Sequence, residues 1–204
     1  MIHAGTIFIA VSMILQVFIK QDNMDFLPKN YNVPKDVGNY MRWGIGANAF
    51  RILGSAITGW EYWTGQEGTK DRKPVRKHTI EEVSLNDTSA EGVKHFWAFP
   101  VWNYQEKRVQ ILEVKQKGII KSLKALIDDE ENWGSPLEYD VVVTREGEGM
   151  DTEYQVNPRP PKKLDPDIAK KFKETFINLE ALFSGDDPFI IEGTENVDPK
   201  DIPF

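Results

Sequence analysis

The chain has 204 residues, enough for one core of ordinary size or one domain with tails. Hydrophobic residues make up 40% and charged residues 28%, the composition of a globular chain and not of a disordered one. With no Cys and only three His, the sequence excludes a disulfide framework, thiolate zinc sites, iron–sulfur clusters and a thiol nucleophile, and leaves too few ligands for a His-rich metal site. The formal net charge of −7 is unevenly spread. Residues 42–124 hold 14 Lys/Arg against 9 Asp/Glu, and residues 125–204 hold 8 against 20. A basic middle before an acidic end suggests a polyanion site plus an acidic tail, with a merely solvated acidic surface as the plain alternative.

Residues 2–19 are mostly apolar and hold no Lys, Arg, Asp or Glu over 18 positions, at the lower edge of a membrane-spanning length. No basic stretch precedes them and no clear cleavage site follows. Three readings stay open: translation starting at Met24, a membrane anchor or signal, or an element packed on the domain. Residues 24–41 read as an extended arm, with Pro28 and Pro34 disfavouring helix before them. Residues 48–63 read as one long strand bent at Gly54 and Gly59. The Gly- and Lys/Arg-rich stretch 64–77 and the acidic stretch 81–91 read as loops. Residues 94–104 and 107–116 read as strands, Pro100 marking an edge or a bulge. Apolar residues at 119, 120, 123, 126 and 127 predict a helix over 117–128, with Lys117, Lys121 and Lys124 on its other faces. An acidic loop at 129–137 precedes a hairpin of strands 138–145 and 152–157. A stiff basic linker at 158–163 leads to a helix over 165–183, with Asp165 as N-cap and Pro166 at its first position. From Ser184 the chain is acidic and unpatterned.

Short strands interrupted by one internal helix suit a small Greek-key barrel of the OB type better than an SH3-like barrel, which usually lacks that helix. The expected fold is therefore mainly β: an OB-fold barrel with one internal helix, an appended C-terminal helix and an acidic disordered tail. The boundaries are 1–41 for the apolar segment and arm, 42–160 for the barrel, 161–184 for linker and helix, and 185–204 for the tail.

No P-loop, dinucleotide fingerprint, nucleophile elbow or zinc-protease motif is present, so no enzyme is expected. The acidic runs at 128–131 and 186–187 read as water-facing, and neither metal nor cofactor is expected. Asp140, in an apolar strand, reads as a buried partner for a basic residue. The informative set is aromatic and basic. Five of six Trp fall within 42–104, interleaved with Lys and Arg. Single-stranded nucleic acid calls for this mixture, since aromatic faces stack on bases and a basic groove tracks phosphates. Trp60, Trp63, Trp97 and Tyr104 are the stacking candidates. Arg51, Lys73, Arg76, Lys77, Lys94 and Arg108 are the phosphate candidates. Because strand side chains alternate, about half the aromatics should be core, and sequence does not say which half.

The segments FRILGSAITGWEYW (50–63), KHFWAFPVWNY (94–104), QILEVKQKGIIKSL (110–123) and YDVVVTREGEGMDTEYQV (139–156) together resemble the core of bacteriophage-type single-stranded DNA-binding proteins with an OB fold. Related phage helix-destabilising proteins carry a structural zinc held by Cys and His; with no Cys here, that subdomain is absent or replaced. The last residues, Asp201, Ile202, Pro203 and Phe204, are similar to the C-terminal tip of bacterial single-stranded DNA-binding proteins. That resemblance implies a tip that recruits replication and recombination proteins by seating Phe204 in an apolar pocket with a basic rim. The resulting expectation is a sequence-independent single-stranded DNA-binding protein of replication, recombination and repair, in the cytoplasm of a phage-infected bacterial host. Self-association is left open. The rivals are an RNA-binding OB module, a membrane-anchored protein-binding adaptor and, more weakly, a metal-dependent nuclease.

Overall fold

The computed structural model describes residues 38–65, 68–70, 72–83 and 92–189. The expectations for 1–37, for most of the 81–91 loop and for the tail and tip beyond 189 lie outside these residues. Among the described residues, no helix is long and apolar enough to cross a membrane.

The fold is mainly β, built on one seven-stranded antiparallel sheet with a few helices. Its strands are β1 (Gly46–Ile52), β2 (Ile57–Thr64), β3 (Lys73–Lys77), β4 (Lys94–Asn103), β5 (Arg108–Val114), β6 (Asp140–Glu146) and β7 (Glu153–Pro158). The helices are α1 (Lys117–Asp128), α2 (Glu130–Trp133), α3 (Pro166–Glu174) and α4 (Ala181–Ser184). The sheet order is β3-β2-β4-β1-β6-β7, with β5 on the other side of β4. Among the described residues β5 and β7 do not pair, so the sheet is not closed.

The predicted long strand at 48–63 is two strands laid end to end. Residues 53–56 interrupt it, and β1 and β2 pair with successive halves of β4. Pro100 sits inside β4, which is paired on both flanks, and is neither an edge residue nor a bulge. Its carbonyl accepts the Leu53 N–H at 3.0 Å. A strand residue's N and O face the same flank, so the N–H that Pro lacks would have pointed at the β1–β2 junction, where ladder pairing already changes partner. The stretch 64–77, read as a loop, contains β3. Its Lys, Pro and Arg content is that of a short edge strand protected against further pairing.

Alternation divides the sheet into two buried faces. The inner face carries Phe50, Ile52, Phe99, Val101, Leu112 and Val141, covered by Ile119 and Leu123 of α1. Helical spacing predicted these α1 contacts, and Lys117, Lys121 and Lys124 are exposed as expected. The outer face carries Phe96, Ala98, Trp102, Val109 and Ile111. It is covered by a C-terminal strap running from Leu164 to Phe189, which includes α3 and α4.

The expected single helix over 165–183 is therefore broken. Asp165 does cap α3, accepting the Asp167 N–H at 2.8 Å, with Pro166 in the first turn. The helix ends at Glu174, where the Thr175 hydroxyl turns back to the Lys171 carbonyl at 2.8 Å. The Asn178 N–H then bonds the Pro188 carbonyl at 2.8 Å, folding the segment onto itself. The break lets Ile168 and Phe172 pack near Trp102, while Leu179, Leu182 and Phe183 pack over Phe96 and Ile111. Residues 185–189 belong to this packing, with Pro188 buried and Phe189 against the outer cluster.

Candidate nucleic-acid interface

Register fixes which candidates share a face. Trp60 lies opposite His95 across the β2–β4 pair and opposite Lys77 across the β2–β3 pair. Thr58 lies opposite Trp97 in the same ladder. Trp60, Lys77, His95 and Trp97 therefore stand on the inner face, at the end of the sheet farthest from β6 and β7. The Trp60 and His95 rings are 4.9 Å apart between centroids and tilted by 53°. The Trp97 indole N–H donates to His95 Nε2 at 3.2 Å, so the ring proton of neutral His95 is on Nδ1. All four residues are half-buried. Trp97 also walls an apolar pocket of about 230 Å³ with Phe99, Leu123 and Tyr139. His95 was not among the sequence candidates. The signal for it was available, because 95 and 97 share parity in one strand.

Trp63 lies on the opposite face of β2, half-buried, with the Arg72 guanidinium 4.6 Å from its ring centroid. Lys73 is exposed on the edge strand β3. Lys94 is exposed at the start of β4, opposite Glu61. Arg108 lies in the distant β4–β5 hairpin, where its Nη2 donates to Asn39 Oδ1 at 3.2 Å.

Three sequence candidates are already engaged within the fold. Arg51 is 0% exposed. Its Nε donates to Asp140 Oδ1 at 2.6 Å, and its Nη1 reaches the carbonyls of Leu137 at 3.1 Å and Lys162 at 3.2 Å. A fully buried guanidinium with this partner set presents no face to a phosphate, so the phosphate assignment for Arg51 is corrected to a structural one. The cause is register, since Arg51 and Asp140 are cross-strand partners in the β1–β6 ladder. Asp140 is the buried partner of a basic residue that its apolar strand suggested.

Tyr104 joins the same network. Its hydroxyl donates to Asp140 Oδ1 at 2.9 Å and Lys162 Nζ lies 5.5 Å from its ring centroid, which ties it to the outer face, away from the Trp60 patch. Burial pushes the Tyr104 hydroxyl pKa up, and its hydrogen bond to Asp140 adds to this. For Asp140 burial alone would raise the pKa. The hydrogen bonds from Lys162, Arg51 and Tyr104, with the Arg51 charge, outweigh burial and hold its carboxyl below the usual range.

Arg76 is the third. Its Nη2 lies 3.0 Å from Glu61 and 2.9 Å from Glu113. Lys115 Nζ reaches the same two carboxylates at 2.6 and 3.2 Å. Two cations thus balance two acids, one of which, Glu61, is 2% exposed. The charge of Arg76 is compensated and supports the sheet edge.

The structure brings together Trp60, Trp97 and Lys77 and adds His95; Lys73 is exposed farther along β3, and Lys94 is exposed on the opposite face of β4, with Glu61. No family model, curated protein or solved structure matches the chain.

Proposed function

We propose that the protein binds single-stranded DNA without strong sequence preference and protects it during replication, recombination and repair in a bacterial host cell. The observation that carries this reading is the cluster of Trp60, His95 and Trp97 beside Lys77 on one sheet face. Flat rings that accept any base, flanked by a cation, are what a sequence-tolerant strand binder needs, and each stacked base is worth about 1–3 kcal/mol. The apolar pocket walled by Trp97 offers a second surface to an unstacked base.

The fold reading that accompanies this is a partly open OB-type barrel. In its support, β1 pairs with both β4 and β6, β4–β5 is a hairpin, α1 lies between β5 and β6, and β6–β7 is the closing hairpin. OB barrels take oligonucleotides on the face of their second and third strands. The outer face of β4–β5 lies under the C-terminal strap, so the proposed contact surface is displaced toward β2 and β3. Residues 201–204 serve as the partner-recruiting tip, and their deletion leaves oligo-dT binding intact while abolishing capture of replication proteins.

The test is intrinsic Trp fluorescence during titration with oligo-dT, with duplex and oligo-U as controls, at low and moderate salt. Quenching by oligo-dT alone that weakens with salt supports the reading. Tighter binding of oligo-U points to the RNA alternative. No quenching and no salt-sensitive binding refutes the stacking site.

A further inference from the structure

A cleft of about 980 Å³ opens where, among the described residues, β5 and β7 fail to meet. Residues 40–43, the β3 edge, the end of β5 and α4 form its walls, and Tyr154 of β7 closes one side. Its charge is not that of the whole chain. Arg76 and Lys115 are balanced by Glu61 and Glu113 as described, which leaves Arg42, Lys73 and Arg145 facing Asp186. Arg42 and Lys73 are exposed, and neither has an ion-pair partner among the described residues. Arg145 donates through Nη1 to the Trp43 carbonyl at 3.0 Å. The buried Nε–H groups of Arg145 and Arg76 have no acceptor among the described residues.

Aromatic surface stands beside these donors. Trp43 is half-buried, its ring 6.3 Å from that of Tyr154 and tilted by 60°. A ring beside several uncompensated cations suits a nucleotide unit better than an acidic peptide, which offers charge but nothing to stack. Lys73 and Lys77 stand on the same face of β3, four residues and roughly 13 Å apart. The edge strand thus leads from the Trp60 patch to this cleft.

We infer that the cleft is a second subsite for the bound single strand, holding a phosphodiester among Arg42, Lys73 and Arg145 with a base against Trp43. This rests on the single-strand reading above, and it takes the strand around the sheet edge instead of across the covered outer face.

The experiment compares the full chain with the double variant Arg42→Gln/Lys73→Gln and with Lys121→Gln, a charge control on the exposed side of α1. Oligo-dT is titrated at several salt concentrations, reading both the slope of log K against log salt and the amplitude of Trp quenching. Each phosphate no longer neutralised flattens the slope by roughly 0.7 for single strands, so the double variant, which strips the one phosphodiester in the cleft of two of its three cations, should flatten it by roughly 0.7 while Lys121→Gln leaves it unchanged. Quenching from the Trp60 patch persists. An unchanged slope in the double variant overturns the cleft subsite and leaves the single-strand reading standing. Equal flattening in Lys121→Gln also overturns it, because only the general field would then be at work. Absence of oligo-dT binding by the unaltered chain removes both readings at once.

Discussion

Asp140→Asn separates a structural role of the Arg51 network from a nucleic-acid role. The substitution keeps the shape of the side chain and removes its charge. Arg51, 0% exposed, is then left as an uncompensated buried cation. Breaking one side of a buried pair costs about 3–5 kcal/mol. The Lys162 contact adds little, since that side chain is 57% exposed and screened by water. For a chain of this size each kcal/mol is worth about 2–4 °C in Tm, so the expected fall is about 6–20 °C. Urea unfolding followed by circular dichroism at pH 7 measures the free energy directly. The acid limb supplies a second readout. The Asp140 carboxyl titrates below its unfolded value of about 3.9. Its contribution is therefore full above that pH and is lost as pH falls through the lower folded value. The gap between the parent and Asp140→Asn should narrow in acid. Replacing both residues, as Arg51→Met/Asp140→Leu, should recover most of the loss, because an apolar pair avoids the desolvation cost. A loss under about 1 kcal/mol for Asp140→Asn would place the pair among exposed ion pairs and refute the reasoning. So would an Arg51→Met protein of unchanged stability whose oligo-dT salt slope is flatter.

Trp60→Ala should weaken oligo-dT binding by about 5- to 150-fold, the equivalent of one lost stack, with an unchanged melting curve; fluorescence titration reads the first and calorimetry the second. Gly59→Ala should destabilise by about 1–3 kcal/mol, because a Cβ there would sit 2.6 Å from the Lys77 carbonyl and 2.8 Å from the Phe183 ring. A neutral result in urea would mean that α4 packs less tightly than described. Leu182→Ala, at a side chain 2% exposed, should cost about 2–5 kcal/mol if the strap is part of the folded core. Loss of near-UV signal only beyond residue 164, with the sheet intact, would instead make the strap a separate unit.

The elements legible in the sequence were those whose own pattern suffices. Strands β4 to β7 show alternation or dense β-formers, and α1 shows one apolar stripe. The features missed depend on partners far away in the chain. Nothing within KPVRK distinguishes an edge strand from a basic loop until β2 lies beside it. The helix break at Thr175 depends on an Asn178–Pro188 bond and on the hydrophobic outer face that the strap must cover. The same limit governed the candidate site. Alternation placed Trp60 and Tyr62 on one side of a strand, but not which side was wet. Arg51 read as a surface cation because its partner lies 89 residues away. Asp140 was the better clue, since a lone carboxylate amid Val residues requires a cation.

Among the described residues, Asn39 to Met41 lie along β5 through one parallel bridge, Tyr40 to Ile111. Two main-chain bonds hold it: Met41 N–H to the Ile111 carbonyl, and Ile111 N–H to the Asn39 carbonyl, both at 2.9 Å. Amides alternate in direction along a strand, so Ile111 points away from β4 while Gln110 and Leu112 serve the β4–β5 ladder. Ile111 is 0% exposed, yet its amide depends on a contact two bonds wide. Its hydrogen exchange should therefore report peeling of residues 39–41 alone, at a lower opening free energy than its two neighbours, which exchange only when the hairpin itself opens.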